Sequence, residues 1–128
     1  MSENIEKINA KLAVFERELV ELRGLYEGVN KRYLEALSAL SELTHHAAEA
    51  AFRAQGSEAQ INAAFLAGAG HTDSDLPYNN IVALNENAAT LHYQYKSFNK
   101  PAHFRTLLID AGAQHNGYAA DITRTYGN

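Results

Sequence analysis

Two aspartates set into a hairpin are the residues of this sequence best placed for chemistry. Asp110 lies in residues 104–113 and Asp121 in residues 118–126, two largely apolar stretches flanking Asn116-Gly117, the strongest short-range signal for a type I′ reversal. A two-residue turn at that point puts Asp121 opposite Gly112, and Asp110 falls two residues away from Gly112 on the same strand. Side chains alternate between faces along a strand, so Asp110, Gly112 and Asp121 share one face. The carboxylates are then diagonal neighbours about 7 Å apart at Cα, near enough for their heads to converge on a cation, and the glycine leaves space between them. Turning two acids inward on an apolar ribbon costs free energy unless a cation or a donor meets them. The competing arrangement sets both acids toward solvent, with Arg105 or Arg124 as weak surface ion-pair partners.

Several elements must hold this hairpin in place. Ser57 followed by Gln60 forms a capping box that opens a helix with Ile61, Ala64, Phe65 and Leu66 on its buried face, ending near Gly68. Before it, His45 to Phe52 continue a helix for which Gly56 supplies a left-handed stop. Residues 70–80, with Asp73, Asp75, Pro77 and two asparagines, read as a loop of a length suited to lining a site. Residues 81–84 and 90–95 read as a strand pair joined through Asn85, Glu86 and Asn87 and ended by Pro101. The class is α+β.

The first 44 residues have a different character. Apolar residues recur at Ile5, Ile8, Leu12, Phe15, Leu19, Leu22, Tyr26, Val29, Tyr33, Ala36, Leu40 and Leu43, the alternating three-and-four spacing of a coiled-coil seam. With Ile5 at position a, Lys11 and Glu18 take g positions and Glu16 and Arg23 the following e positions, so opposite charges face each other across a parallel pair. Gly24 and Gly28 each weaken a helix by about 1 kcal/mol relative to alanine. The segment is therefore one long dimerising helix, or two helices folded back within residues 23–30, or a stripe that packs on the rest of the chain. Phe15, Tyr26 and Tyr33 are large for a tight two-stranded seam.

Composition removes several classes of function. With 128 residues, 46% of them apolar and 20% charged, the chain suits one domain or one domain plus an extension. A net charge of −4 gives no electrostatic basis for binding nucleic acid. There is no cysteine, so any metal must be held by oxygen or imidazole. The polar first ten residues are no secretory leader, and no stretch approaches the roughly 18 apolar residues that span a bilayer. A cytoplasmic location without membrane attachment is the default expectation.

The runs DLPYNNIVALNENAATLHY (75–93) and LLIDAGAQHNGYAADITRTY (107–126) resemble bacterial prolidase, the Xaa-Pro dipeptidases of the pita-bread metallopeptidase family, whose relatives include organophosphorus acid anhydrolases. The resemblance extends back through the capping-box helix to about His45. It implies a centre of two metal ions, usually Mn2+, held by two aspartates, one histidine and two glutamates. By motif position Asp110 is the ligand of one metal and Asp121 the aspartate that bridges both. His92, in Leu-His-Tyr, falls where the family keeps a histidine beside the substrate, and Tyr78, in Leu-Pro-Tyr, where a tyrosine lines the pocket. Hard oxygen ligands suit manganese. The implied reaction is hydrolysis of a dipeptide with proline at its C-terminal side.

The departures from that pattern shape the expectation. The family's metal-binding histidine and both glutamates lie downstream of the Asp-Ile-Thr-Arg-Thr motif, and this sequence stops two residues after Tyr126. Two carboxylates alone bind a divalent ion weakly, since water must supply the remaining ligands. His45, His46, His71, His103 and His115 could substitute, but each reads more simply as a surface histidine. Residues 1–44 do not read like the family's N-terminal domain. The expected architecture is a long N-terminal helix or helical hairpin, residues 1–44, followed by a truncated pita-bread (creatinase/aminopeptidase-like) half with antiparallel strands, residues 45–128. The expected function is that of a prolidase-like metallopeptidase piece, inactive alone. The alternative is a non-catalytic module that forms homo-oligomers through residues 1–44, an outcome that unpaired sheet edges would favour as well.

Overall fold

The structure, a computed structural model, describes residues 2–128. It resolves into two compact units, one ending at Leu34 and the other spanning Glu35–Asn128. Helix α1 (Ser2–Arg53) runs through Gly24 and Gly28 without a break, so the fold-back within residues 23–30 does not occur. Strong helix formers on both sides outweigh the glycine penalty. Neither glycine is demanded by packing, because a Cβ at either position would meet nothing within 4 Å.

In the first unit the apolar stripe stays exposed from Ile5 to Tyr26, with Leu19 at 63%. In the second unit α1 buries a neighbouring face, Leu37, Ser41, Thr44, His45, Ala48 and Phe52, while the stripe residue Leu43 remains exposed. The heptad pattern therefore marks one face of α1, and the core takes another. No helix among the described residues is long and apolar enough to cross a membrane.

Helix α1 ends one residue earlier in its capping than the sequence suggested. Gln55, not Gly56, adopts the left-handed conformation, with φ 61°. The Gly56 N–H then reaches the Ala51 carbonyl at 2.9 Å and the Gln55 N–H the Phe52 carbonyl at 2.9 Å, the paired bonds of a Schellman stop. Helix α2 (Glu58–Ala69) starts at the Ser57/Gln60 capping box and stops at Gly70, φ 66°, two residues beyond the expected Gly68. Gly68 serves packing instead: a Cβ there would lie 3.3 Å from the Ala47 Cβ, so its absence lets α2 lie close against α1.

Strands β1 (Ile81–Leu84), β2 (Thr106–Ala111) and β5 (Ile122–Gly127) form an antiparallel sheet in the order β1-β2-β5. Two short strands, β3 (Gln114–His115) and β4 (Tyr118–Ala119), make the hairpin tip. Asn116 and Gly117 both take positive φ, 49° and 83°, as a type I′ turn requires. Along β2 burial alternates strictly, with Leu107, Ile109 and Ala111 inside. They join Phe52, Ile61, Phe65, Val82 and Leu84 in one core between the helices and a face of the sheet.

The expected strand at residues 90–95 is absent, and β1 pairs with β2 instead. After β1 the chain turns through a 3-10 segment, Asn85–Ala89. Asn85 there has φ 54°, and its Oδ1 accepts the N–H groups of Arg105 and Thr106 at 2.9 and 3.2 Å while its Nδ2 donates to the His103 carbonyl at 2.7 Å. One side chain thus ties the end of β1 to the start of β2.

The core assignment is open to a direct check. Phe65→Ala should lower unfolding free energy by about 3–5 kcal/mol in urea titrations, whereas Phe98→Ala, at an exposed position of the same unit, should shift it by no more than about 0.5 kcal/mol. Equal effects at the two positions would contradict this packing.

Candidate metal centre

The hairpin keeps one register on both sides of its middle, with His115 opposite Tyr118 at the tip and Ala111 opposite Ile122 and Asp110 opposite Thr123 in the main sheet. Between the tip and the main sheet regular pairing lapses at Gly112–Ala113 and Ala120–Asp121. A Cβ on Gly112 would stand 1.7 Å from the Ala120 carbonyl oxygen and 3.1 Å from the Tyr78 ring. The space the glycine leaves is therefore filled, by the opposite strand's carbonyl and by Tyr78. No other residue fits at position 112 without moving backbone.

Tyr78 arrives from the loop between α2 and β1, which is fastened at several points. Asp75 accepts the Thr72 N–H at 2.8 Å and the Thr72 hydroxyl at 3.1 Å, and these bonds hold its carboxyl below the usual range. His71 Nε2 accepts the Gln114 N–H at 3.1 Å, joining the loop to β3. Leu76 packs against the core. Held this way, Tyr78 places its hydroxyl 2.8 Å from Asp110 Oδ1 and 2.9 Å from Asp121 Oδ1.

Both carboxylates thus meet at one atom, as strand alternation required. A phenol has a single proton to donate, so two acidic groups share one hydrogen. Burial, the hydrogen bonds to Asp110 and Asp121, and their negative charge together push the Tyr78 phenol far above its ordinary value. Asp110 is half-buried and Asp121 exposed, yet among the described residues neither is paired with Arg105 or Arg124, and Arg124 donates to the Thr123 carbonyl instead. The donor set, two hard carboxylates converging with no basic side chain bonded to them among the described residues, fits a hard divalent cation. It is a partial set, for no group of three or more His, Cys, Asp or Glu side chains able to hold a metal exists among the described residues.

The histidines do not complete it. His45, expected at the surface, is 4% exposed. Its Nδ1 lies 2.9 Å from the Ser41 carbonyl and its Nε2 3.0 Å from that of Ile122, and its ring meets Phe65 edge-on. It staples α1 to β5. His46 lies 3.8 Å from Glu49 on the surface of α1. His92 is exposed at φ 54° and stands outside the hydrogen-bonded cluster of Tyr78, Asp110 and Asp121.

Sequence reasoning missed Glu58. An acid in the first turn of a helix reads as a solvated residue, yet Glu58 is 1% exposed. Its Oε2 accepts the Leu84 N–H at 2.8 Å and Asn87 Nδ2 at 3.0 Å, and its Oε1 accepts the Tyr93 hydroxyl at 2.6 Å and the Ser97 N–H at 3.2 Å. No local signal announces such a role, because the partners lie 26 to 39 residues away.

Comparison with known proteins places these features. The profile described as metallopeptidase family M24 matches residues 32–128. An Xaa-Pro dipeptidase of Salmonella arizonae is 58% identical over 82 residues, and one of Photorhabdus laumondii 60% over 82. Each alignment covers 64% of this chain and 18% of the relative, so the chain spans less than a fifth of those proteins' length. Among solved structures, zinc-substituted Escherichia coli aminopeptidase P in complex with product superposes with TM-score 0.63 at 28% identity, covering 75% of this chain and 22% of that one. An X-Pro aminopeptidase from Thermotoga maritima, 23% identical with TM-score 0.54 over 76% of this chain and 28% of that one, shares the fold.

The Glu58 cluster carries a pH dependence. Burial, then the hydrogen bond to Glu58 and its charge, raise the Tyr93 phenol well above its ordinary value of 10.0. The stability this contributes is fully present below pH 10 and is lost as pH rises beyond it. Tyr93→Phe should therefore be less stable than wild type at pH 8, with the gap narrowing toward pH 11 in urea titrations. A gap that is constant or widens with pH would exclude the linkage.

Proposed function

Because the chain belongs to metallopeptidase family M24, whose profile covers residues 32–128, we propose that Asp110 and Asp121 are two ligands of a dinuclear Mn2+ centre that hydrolyses Xaa-Pro dipeptides. The observation that carries this reading is their convergence on the Tyr78 hydroxyl. When bound, two divalent ions supply Lewis acidity that polarises a scissile carbonyl and activates water. The chain's own contribution is geometric. The hairpin register aims two carboxylates at one point, Gly112 permits the strands to close behind them, and Tyr78 holds them together through its hydroxyl. His92 is the substrate-side residue in this reading, and Tyr78 lines the pocket. The substrate is a dipeptide with C-terminal proline, handled in the cytoplasm. The two carboxylates are a half-site, and full hydrolysis requires further ligands beyond these two.

Calorimetric titration with Mn2+ tests the half-site. Wild type should bind, and Asp110→Ala should weaken binding by about tenfold or more, equivalent to about 1.4 kcal/mol. Absence of binding by wild type would defeat the assignment.

A second reading concerns residues 1–44, which we propose act as a self-associating, coiled-coil-like helix that makes homo-oligomers. It is supported by the exposure of Ile5, Ile8, Leu12, Phe15, Leu19 and Leu22 along one stripe and by the alternating charges at Lys11, Glu16, Glu18 and Arg23. Analytical ultracentrifugation should show an oligomer that Leu19→Glu disperses. Since Leu19 is exposed, this substitution leaves the fold of the chain itself intact, and a monomeric wild type would end the reading.

A further inference from the structure

Glu58 is the one buried carboxylate among the described residues; Lys96 feels its charge, but the carboxylate oxygens are taken by hydrogen-bond donors. There are four of these, two on each oxygen, at the N-terminal end of α2 where helix amides also favour negative charge. All four donors belong to one stretch of chain, from the end of β1 to Ser97. That stretch is closed a second time where the Ala59 N–H donates to the Ser97 carbonyl at 3.0 Å. Its length is otherwise irregular, without strand or α-helix between Thr90 and Pro101.

Within this closed loop sits His92, a non-glycine residue at φ 54°. Such a conformation is sparsely populated and persists only when its surroundings over-determine it. Leu91 and His92 are both exposed, so no burial of their own side chains fixes the backbone there. Before His92 the Thr90 N–H donates to the Asn87 carbonyl at 3.1 Å, and the side chains of Asn87 and of Tyr93, on its other side, both end on Glu58.

We propose that Glu58 is a positioning residue for His92: by gathering Leu84, Asn87, Tyr93 and Ser97 onto the first turn of α2, its carboxylate holds the loop in the conformation that presents the histidine. The functional meaning of this rests on the reading of His92 as the substrate-side residue; the geometry does not. Two acceptor oxygens are required, because a carboxylate can accept at both whereas an amide accepts at one only. A glutamine of equal size keeps two of the bonds at most and turns an NH2 toward the remaining two donors.

The test uses the full chain and NMR. In Glu58→Gln, hydrogen exchange at the Leu84 and Ser97 amides should quicken by at least tenfold and the His92 ring and backbone signals should shift, while the Val82 and Ile109 amides keep their protection. His92 signals that stay in place while the Leu84 and Ser97 amides loosen would overturn the proposal and leave Glu58 a merely structural group. If Glu58→Gln does not fold, the double variant Asn87→Ala/Tyr93→Phe decides. It keeps the carboxylate and both backbone contacts, and the His92 signals must still move; unmoved signals, or a uniform loss of protection across the sheet, would overturn the proposal. Failure of the protein to hydrolyse a dipeptide would count against the functional reading alone, since none of these signals depends on turnover.

Discussion

The register fixed at Asn116 and Gly117 is the constraint on which both the core and the acidic pair depend. It pairs Gln114 with Ala119 and carries through to Asp110 opposite Thr123. A slip of one residue would turn every side chain of a strand to the other face. Leu107, Ile109 and Ala111 would then leave the core and Asp110 would enter it. Burying an unpaired carboxylate among Phe52, Ile61 and Phe65 is far costlier than any alternative the turn could offer. The hydrophobic pattern and the placement of the acids thus enforce one another, and the positive-φ turn at the tip only has to agree with them.

The two ways in which this fold treats carboxylates differ in a manner that separates structure from site. Glu58 has four donors for its two oxygens and is enclosed by them. Its hydrogen-bonding capacity is used, which is the condition for burying charge without strain. Asp110 and Asp121 together share one phenolic proton, and Asp121 is exposed. In the proposed role of the pair, a divalent cation would supply the charge that the single phenolic proton does not.

Local signals made the hairpin, the capping box and the acidic pair legible from sequence, because each rests on residues close together in the chain. Asn116-Gly117 names its own turn, and strand alternation then places Asp110 and Asp121 without further information. What could not be read depends on distant partners. The 90–95 stretch has strand-like composition, but the chain around it is tied to side chains, with the Leu84 and Ser97 N–H groups bonded to Glu58, and no strand forms there. Gly56 was the obvious left-handed residue, and its neighbour Gln55 took that role because the Schellman bonds to Ala51 and Phe52 fall one residue earlier. Along α1, periodicity identified an apolar stripe but not which of two adjacent faces the core would choose. The choice fell on Leu37, Ala48 and Phe52 with the polar Ser41, Thr44 and His45 among them, a face too mixed in character to stand out.

The shared phenol of Tyr78 has a consequence for how the molecule can be watched. The chain contains seven tyrosines and no tryptophan, so its near-ultraviolet absorption and intrinsic emission are dominated by phenols. One of those phenols touches both acidic groups of the candidate centre. An ion drawn between the carboxylates must compete with that hydroxyl for their oxygens, and the competition alters the electronic surroundings of a native chromophore. The protein therefore carries an unlabelled optical reporter at its candidate centre.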